Sequence, residues 1–148
     1  PCGSFSPLRN LDPGGPLRPS HNLLGDTSKE EVRIGNQLWF RTLHLARLCI
    51  KHNVPFFIEH PRNSRAWLLK ESAFLMNHPQ VQKIHLHQCM WYEGDPHDRT
   101  LKSTRILSSA PWARVLDVRC DGSHSHGPPL RGKRAKAAGM RRRRCFRA

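Results

Sequence analysis

The stretch Val54-Pro55-Phe56-Phe57-Ile58-Glu59-His60-Pro61 decides how the rest of the chain is read. Five apolar residues, rich in β-branched and aromatic types, end abruptly in a carboxylate, an imidazole and a proline. A short apolar run of this kind fits a strand buried on both faces of a parallel sheet, because a strand with only one covered face would alternate with polar residues. Parallel strands need helical crossovers, so helices are expected on both sides of it.

Upstream, Ser28-Lys29-Glu30-Glu31 has the pattern of a capping box. Val32, Trp39, Leu43, Ala46 and Ile50 then recur at three to four residue spacing, with Leu38, Leu45 and Cys49 widening the stripe. A helix over 29 to 52 follows, stopped by Asn53 and Pro55. Downstream, Trp67, Leu68, Phe74 and Leu75 place a second helix over 64 to 76. Val81 to Cys89 alternates imperfectly as a half-buried strand, and Thr104 to Ser108 and Val115 to Val118 are shorter strand candidates. Helix, strand, helix, strand is the alternation of an α/β sheet with covering helices.

Residues 1–27 are rich in Pro, Gly, Ser and Asn and read as a long loop. Beyond Cys120 the chain turns to Gly, Pro, His and Arg. One α/β domain over 1–130 and a flexible, disordered basic tail over 131–148 are therefore expected. The net charge of +14 is uneven: nine of the 25 Lys and Arg lie in 131–148, where there is no acid, and the remainder carries +5. Such an excess suits a polyanion, since each phosphate neutralised releases condensed counterions. No apolar run is long enough to span a bilayer, and no secretory leader pattern opens the sequence, so no membrane partner and an intracellular location are expected. The five cysteines are odd in number and widely spaced, which favours reduced thiols.

Two features carry chemistry. Parallel sheets bind ligands beyond the carboxyl ends of their strands, where Glu59 is expected, partly desolvated and able to hold a proton. Cys2, in the polar loop Pro1-Cys2-Gly3-Ser4-Phe5-Ser6, is a candidate nucleophile entering the same crevice. His85, His87 and Cys89, together with Cys120, His124 and His126, could form a tetrahedral zinc site if the two segments met. Without Cys-x-x-Cys spacing the half-exposed strand face is the stronger reading, and no metal ligand is assigned.

The Pro-Cys-Gly-Ser-Phe-Ser loop, followed by a helix and then by Phe57-Ile58-Glu59-His60-Pro61, resembles DNA (cytosine-5) methyltransferases, whose catalytic loop reads Pro-Cys-x-x-Phe-Ser and whose next strand ends in Glu-Asn-Val. Divergent phage-type and retroelement-type relatives have Glu-Asn-Pro there. Cys89-Met90-Trp91-Tyr92 with Lys102-Ser103-Thr104-Arg105 is similar to their Cys-x-Tyr-Gly and Lys-x-Thr segment, and Cys120-Asp121-Gly122-Ser123-His124 to their Cys-x-Gly-x-His ending.

The resemblance implies a partial Rossmann-like methyltransferase sheet that transfers a methyl group from S-adenosylmethionine to a flipped cytosine of DNA. It assigns catalytic roles to Cys2, Glu59 and Arg105, and substrate contacts to Ser4, Phe5, Ser6, His60, Pro61, Lys102 and Thr104. His60 stands where the family has Asn. The family's Phe-x-Gly-x-Gly donor loop lies upstream of its Pro-Cys loop and has no counterpart here, so an amino-terminally truncated member is expected, incomplete alone and working with a missing amino-terminal half. If the source is eukaryotic, a nuclear location is implied. The alternative from a different class is a non-catalytic nucleic-acid-binding protein that grips phosphates through its basic tail.

Overall fold

The computed structural model describes residues 3–6, 17–94 and 99–127. Cys2 and the basic tail of 131–148 lie outside the described residues. The chain divides into two compact units, Pro1–Leu86 with Thr104–Asp117, and His87–Ser103 with Val118–Ala148.

The fold is mixed α/β. Helix α1, Glu30–Lys51, is the longest element, and it buries Val32, Gly35, Asn36, Trp39, Leu43 and Ala46. These positions recur on one side of a 3.6-residue helix, as the spacing predicts. Leu38 and Leu45 lie outside that stripe and are exposed. The helix ends as its sequence indicates: Asn53 adopts a φ of 56°, and the Val54 amide bonds the Cys49 carbonyl at 2.8 Å while that of Asn53 bonds Ile50 at 3.2 Å. This pair of bonds is a Schellman closure, with asparagine in the left-handed position. The expected capping box does not form. Ser28 turns to Asp26 instead, its amide and hydroxyl both donating to Asp26 Oδ1 at 3.0 and 2.7 Å.

Three strands follow: β1, Phe57–Pro61; β2, Gln82–His87; and β3, Ser103–Ser108. The sheet order is β1-β3-β2 and the sheet is antiparallel, which corrects the expectation of parallel strands. The cause is the insertion of β3. Strands β1 and β2 are joined through a helical crossover and run the same way, but the chain reverses after β2 and returns between them. β1 pairs with β3 in the register Phe57↔Ser108, Ile58↔Leu107, Glu59↔Ile106, His60↔Arg105 and Pro61↔Thr104.

The strand buried on both faces is thus β3 rather than β1. Leu107 joins the larger core of Phe5, Trp39, Leu43, Ile58, Trp67 and Leu75, whereas Ile106 packs with Ile84, Ala110 and Ala113. β1 alternates, with Ile58 and His60 buried and Phe57 and Glu59 exposed. Apolar character alone had concealed this parity.

The expected helix over 64–76 is broken into 3-10 turns at Arg65–Leu68 and Lys70–Ser72, followed by a short helix α2, Ala73–Asn77. The break falls at Leu69, whose backbone is extended at φ −65° and ψ 138°, and serines stand on either side of it, Ser64 as the cap of the first turn. Ser64 Oγ accepts the Ala66 amide at 3.2 Å, and Ser72 Oγ donates to the Ala66 carbonyl at 2.6 Å while accepting Trp39 Nε1 at 3.1 Å. Hydroxyls bonding nearby backbone compete with helical hydrogen bonds in this way. Val115–Val118 forms no strand; Pro111–Leu116 is a 3-10 turn started by its proline.

Candidate functional site

The short loop Gly3–Ser6 is fixed from two sides. On one, the Phe5 carbonyl accepts the Arg65 amide at 3.2 Å and the Ser64 hydroxyl at 3.4 Å, which ties the loop to the turn following β1. On the other, the fully buried Phe5 ring packs on Trp39 and His60, with centroids 6.1 and 6.2 Å away. The two motifs that the sequence singles out, separated by more than fifty residues, therefore meet.

Arg18 is what holds the loop against α1. Its Nε donates to the Ser4 carbonyl (3.2 Å), Nη2 to Ser4 Oγ (3.0 Å) and the Val32 carbonyl (3.1 Å). Nη1 lies within 2.7 to 3.1 Å of Asn36 Oδ1 and the carbonyls of Leu23 and Leu24. The guanidinium is 1 % exposed, and burial lowers its pKa to about 10, so it stays charged at neutral pH. Neutral oxygens satisfy all its donors, and the close approach is made possible by Gly35, where a Cβ would collide with Ser4 Oγ and crowd Arg18 Nη2. Sequence reasoning missed Arg18 entirely: with no carboxylate at helical or strand spacing to pair with it, nothing local signals burial.

His60 stands at the centre of an aromatic box, 5.0 Å from Trp39, 5.6 Å from Trp67 and 6.2 Å from Phe5 between ring centroids. Opposite it in the sheet is Arg105, whose guanidinium lies 5.8 Å from the Trp67 ring centroid. Desolvation, followed by repulsion from Arg62, lowers the Arg105 pKa. Phe5, His60, Trp67 and Arg105 therefore share the α1 side of the sheet.

Glu59 does not. Successive side chains of a strand alternate between faces, which puts Glu59 with Ile106 and Thr104 on the opposite side from Arg105. It is exposed and in the middle of β1, not desolvated at the strand's end. Thr104 is buried opposite Pro61, whose carbonyl accepts the amide of Ser64 at 2.9 Å and the indole of Trp67 at 3.0 Å. Ser4 and Phe5, expected to touch substrate, are buried loop anchors, and Ser6 closes the loop turn with a 3.3 Å bond to the Gly3 carbonyl. Lys102 belongs to the second unit, where its carbonyl takes the Gln88 amide at 3.1 Å. A separate cleft of about 540 Å³ on the first unit, lined by Cys49, Asn53, Pro55, Gln82 and Arg114 among others, contains none of these motif residues.

The second unit gathers Cys89, Cys120, His124 and His126, whose ligating atoms all lie within 4.8 Å of one another. The turn over 120–124 folds them together: the Ser123 amide bonds Asp121 Oδ1 at 2.9 Å and Gly122 takes a φ of 78°. Burial, then hydrogen bonding and charge from Cys120, raise the Cys89 pKa, while desolvation and the nearby Arg99 lower that of His124. His85 is not part of the group, and His87 is beside it rather than in it.

Comparison with protein families, with curated proteins and with solved structures finds no match to this chain. Among the described residues, no helix is long and apolar enough to cross a membrane.

Proposed function

We propose that this chain carries the chemical half of a DNA cytosine-5 methylation site, on one edge of a Rossmann-like methyltransferase sheet. The supporting observation is the junction of Phe5 with Ser64 and Arg65, which anchors the loop bearing Cys2 in sequence to the turn that follows Glu59. The antiparallel β3 lies between β1 and β2, so this reading rests on the junction and not on the strand order.

In this reading the Cys2 thiolate adds to carbon 6 of an extruded cytosine, which makes carbon 5 electron-rich. Glu59, exposed on β1, hydrogen-bonds the ring nitrogen and exocyclic amine as charge develops. Arg105 and Glu59 face opposite ways, so Arg105 is assigned a backbone phosphate rather than the base edge. Ser4, Phe5 and His60 position the loop.

The described residues do not fit S-adenosylmethionine: neither β1 nor β2 leads through a glycine-rich turn into a helix amino terminus. Its seat would be supplied by a further, amino-terminal part. The excess of basic residues supports DNA as the partner.

Addition at carbon 6 can be read without any methyl donor, since it labilises the hydrogen on carbon 5. DNA tritiated at cytosine carbon 5 should release tritium to water faster with the full chain than without it, and Cys2→Ser should abolish the gain. DNA binding with no exchange above background would reject the catalytic reading and leave phosphate binding alone.

A further inference from the structure

The second unit has an unusual deficit. Among its described residues Cys89 alone is buried, no apolar cluster forms, and the helical structure is the 3-10 turn Gln88–Trp91. A segment that buries so little apolar surface does not order itself by the hydrophobic effect. Something else must hold its described segments, 87–94, 99–103 and 118–127, together.

We propose that Cys89, Cys120, His124 and His126 form a tetrahedral zinc site that orders this unit. The geometry fits the ion. Zn–S bonds near 2.3 Å and Zn–N bonds near 2.0 Å at tetrahedral angles separate sulfur and nitrogen by about 3.5 Å. Cys120 Sγ is 3.5 Å from His124 Nε2 and 3.4 Å from His126 Nε2. Both imidazoles thus present the same nitrogen towards the same sulfur. Two thiolates and two imidazoles form a set that suits zinc over the hard, oxygen-preferring cations.

Outer contacts are already in place. The Cys120 amide donates to His87 Nδ1 at 3.0 Å, which fixes the backbone of that ligand. The Gly122 amide points at Cys120 Sγ from 3.4 Å, a contact that disperses thiolate charge. Four protein ligands leave no open position for substrate or water, so the ion is structural rather than catalytic. This inference is independent of the methylation chemistry and uses none of the residues to which that reading assigns a role.

The test uses the full chain, expressed with zinc and purified under reducing conditions. Native mass spectrometry should find one zinc per chain. Replacement by cobalt(II) should give the intense visible bands of tetrahedral coordination together with a near-ultraviolet thiolate transition. Cys120→Ser should lose the metal, His87→Ala should weaken binding about tenfold or more, and Cys49→Ser, which alters a thiol of the first unit, should retain it. A metal-free chain, weak octahedral cobalt bands, or a Cys89–Cys120 disulfide in place of the ion would overturn the proposal. Because the mass and cobalt spectrum are read on the unaltered chain, a variant that fails to fold does not obscure the outcome.

Discussion

The Arg18 guanidinium lies over the face of the Phe5 ring, its central carbon 3.6 Å from the ring centroid, while its nitrogens hold Ser4 next to it. One side chain therefore provides both the floor of the loop and the hydrogen bonds that fix it on α1. Buried cations are ordinarily paired with an acid; this one is satisfied by carbonyls, a hydroxyl and an amide, and by the face of an aromatic ring.

Arg18→Met should consequently destabilise the first unit more than its volume suggests. The change leaves the oxygens of Ser4, Val32 and Asn36 without their donor, at about 1–3 kcal/mol for each buried acceptor that finds no water. A loss of about 3 kcal/mol or more is expected from the urea midpoint. Burial lowers the native pKa of this base to about 10, below its value in the unfolded chain, so the two states differ in bound protons only from about pH 10 upward. Stability from this group rises with pH in that window and is flat below it. The gap between the parent chain and Arg18→Met should hence stay constant from about pH 6 to 9, provided Arg18 is the group that differs.

Gly35→Ala separates helix propensity from packing. Alanine favours a helix over glycine by about 1 kcal/mol. At this position, however, the new methyl would meet Ser4 Oγ and Arg18 Nη2, both held in the loop network. Overpacking of about 1–3 kcal/mol should win, giving a net loss of about 1 kcal/mol in chemical denaturation. A stabilised Gly35→Ala protein would show that the loop yields readily.

Neighbours on β1 should behave oppositely. His60→Ala empties the box of Phe5, Trp39 and Trp67 and should cost about 2–4 kcal/mol, with altered tryptophan fluorescence. Glu59→Gln, on the exposed face, should shift stability by less than about 0.5 kcal/mol. In the cytosine exchange assay Glu59→Gln should nonetheless reduce the rate at least tenfold, because it removes the charge proposed to stabilise the adduct. Comparable stability losses for the two variants would contradict the face assignment.

Chelation should separate the two units. Removal of zinc is expected to raise amide hydrogen exchange at least tenfold in 87–94, 99–103 and 118–127, since metal binding and local folding are linked. Amides of α1 should stay protected, because their burial rests on Trp39, Leu43 and Ala46. Equal exposure of α1 would mean that the ion supports the whole chain.

The legible parts of this fold are those encoded over a few residues. Helix α1 shows in the spacing of Val32, Trp39, Leu43 and Ala46, and its end in Asn53, whose short polar side chain tolerates a positive φ. The break of the expected second helix at Leu69 was not legible: Ser72 beyond it is held by the Ala66 carbonyl and by the indole of Trp39, a partner more than thirty residues away. The Cys and His residues of the second unit could be named in advance as one possible group, but not sorted: only the structure brings the two segments together and leaves His85 and His87 out of the four.

Local sequence by itself determined helix α1 with its end and the neighbourhoods of β1, β2 and β3, but not the second helix or residues 115–118, because periodicity and end signals act within one or two turns of chain. Tertiary structure alone decided that β3 returns between β1 and β2, that Glu59 and Arg105 face apart, and that Arg18 is buried against Phe5. The physical reason is the same in each case. Strand order, facing and the burial of a charge depend on partners distant in sequence, and a one-residue change of register exchanges the two faces of a strand without altering its composition.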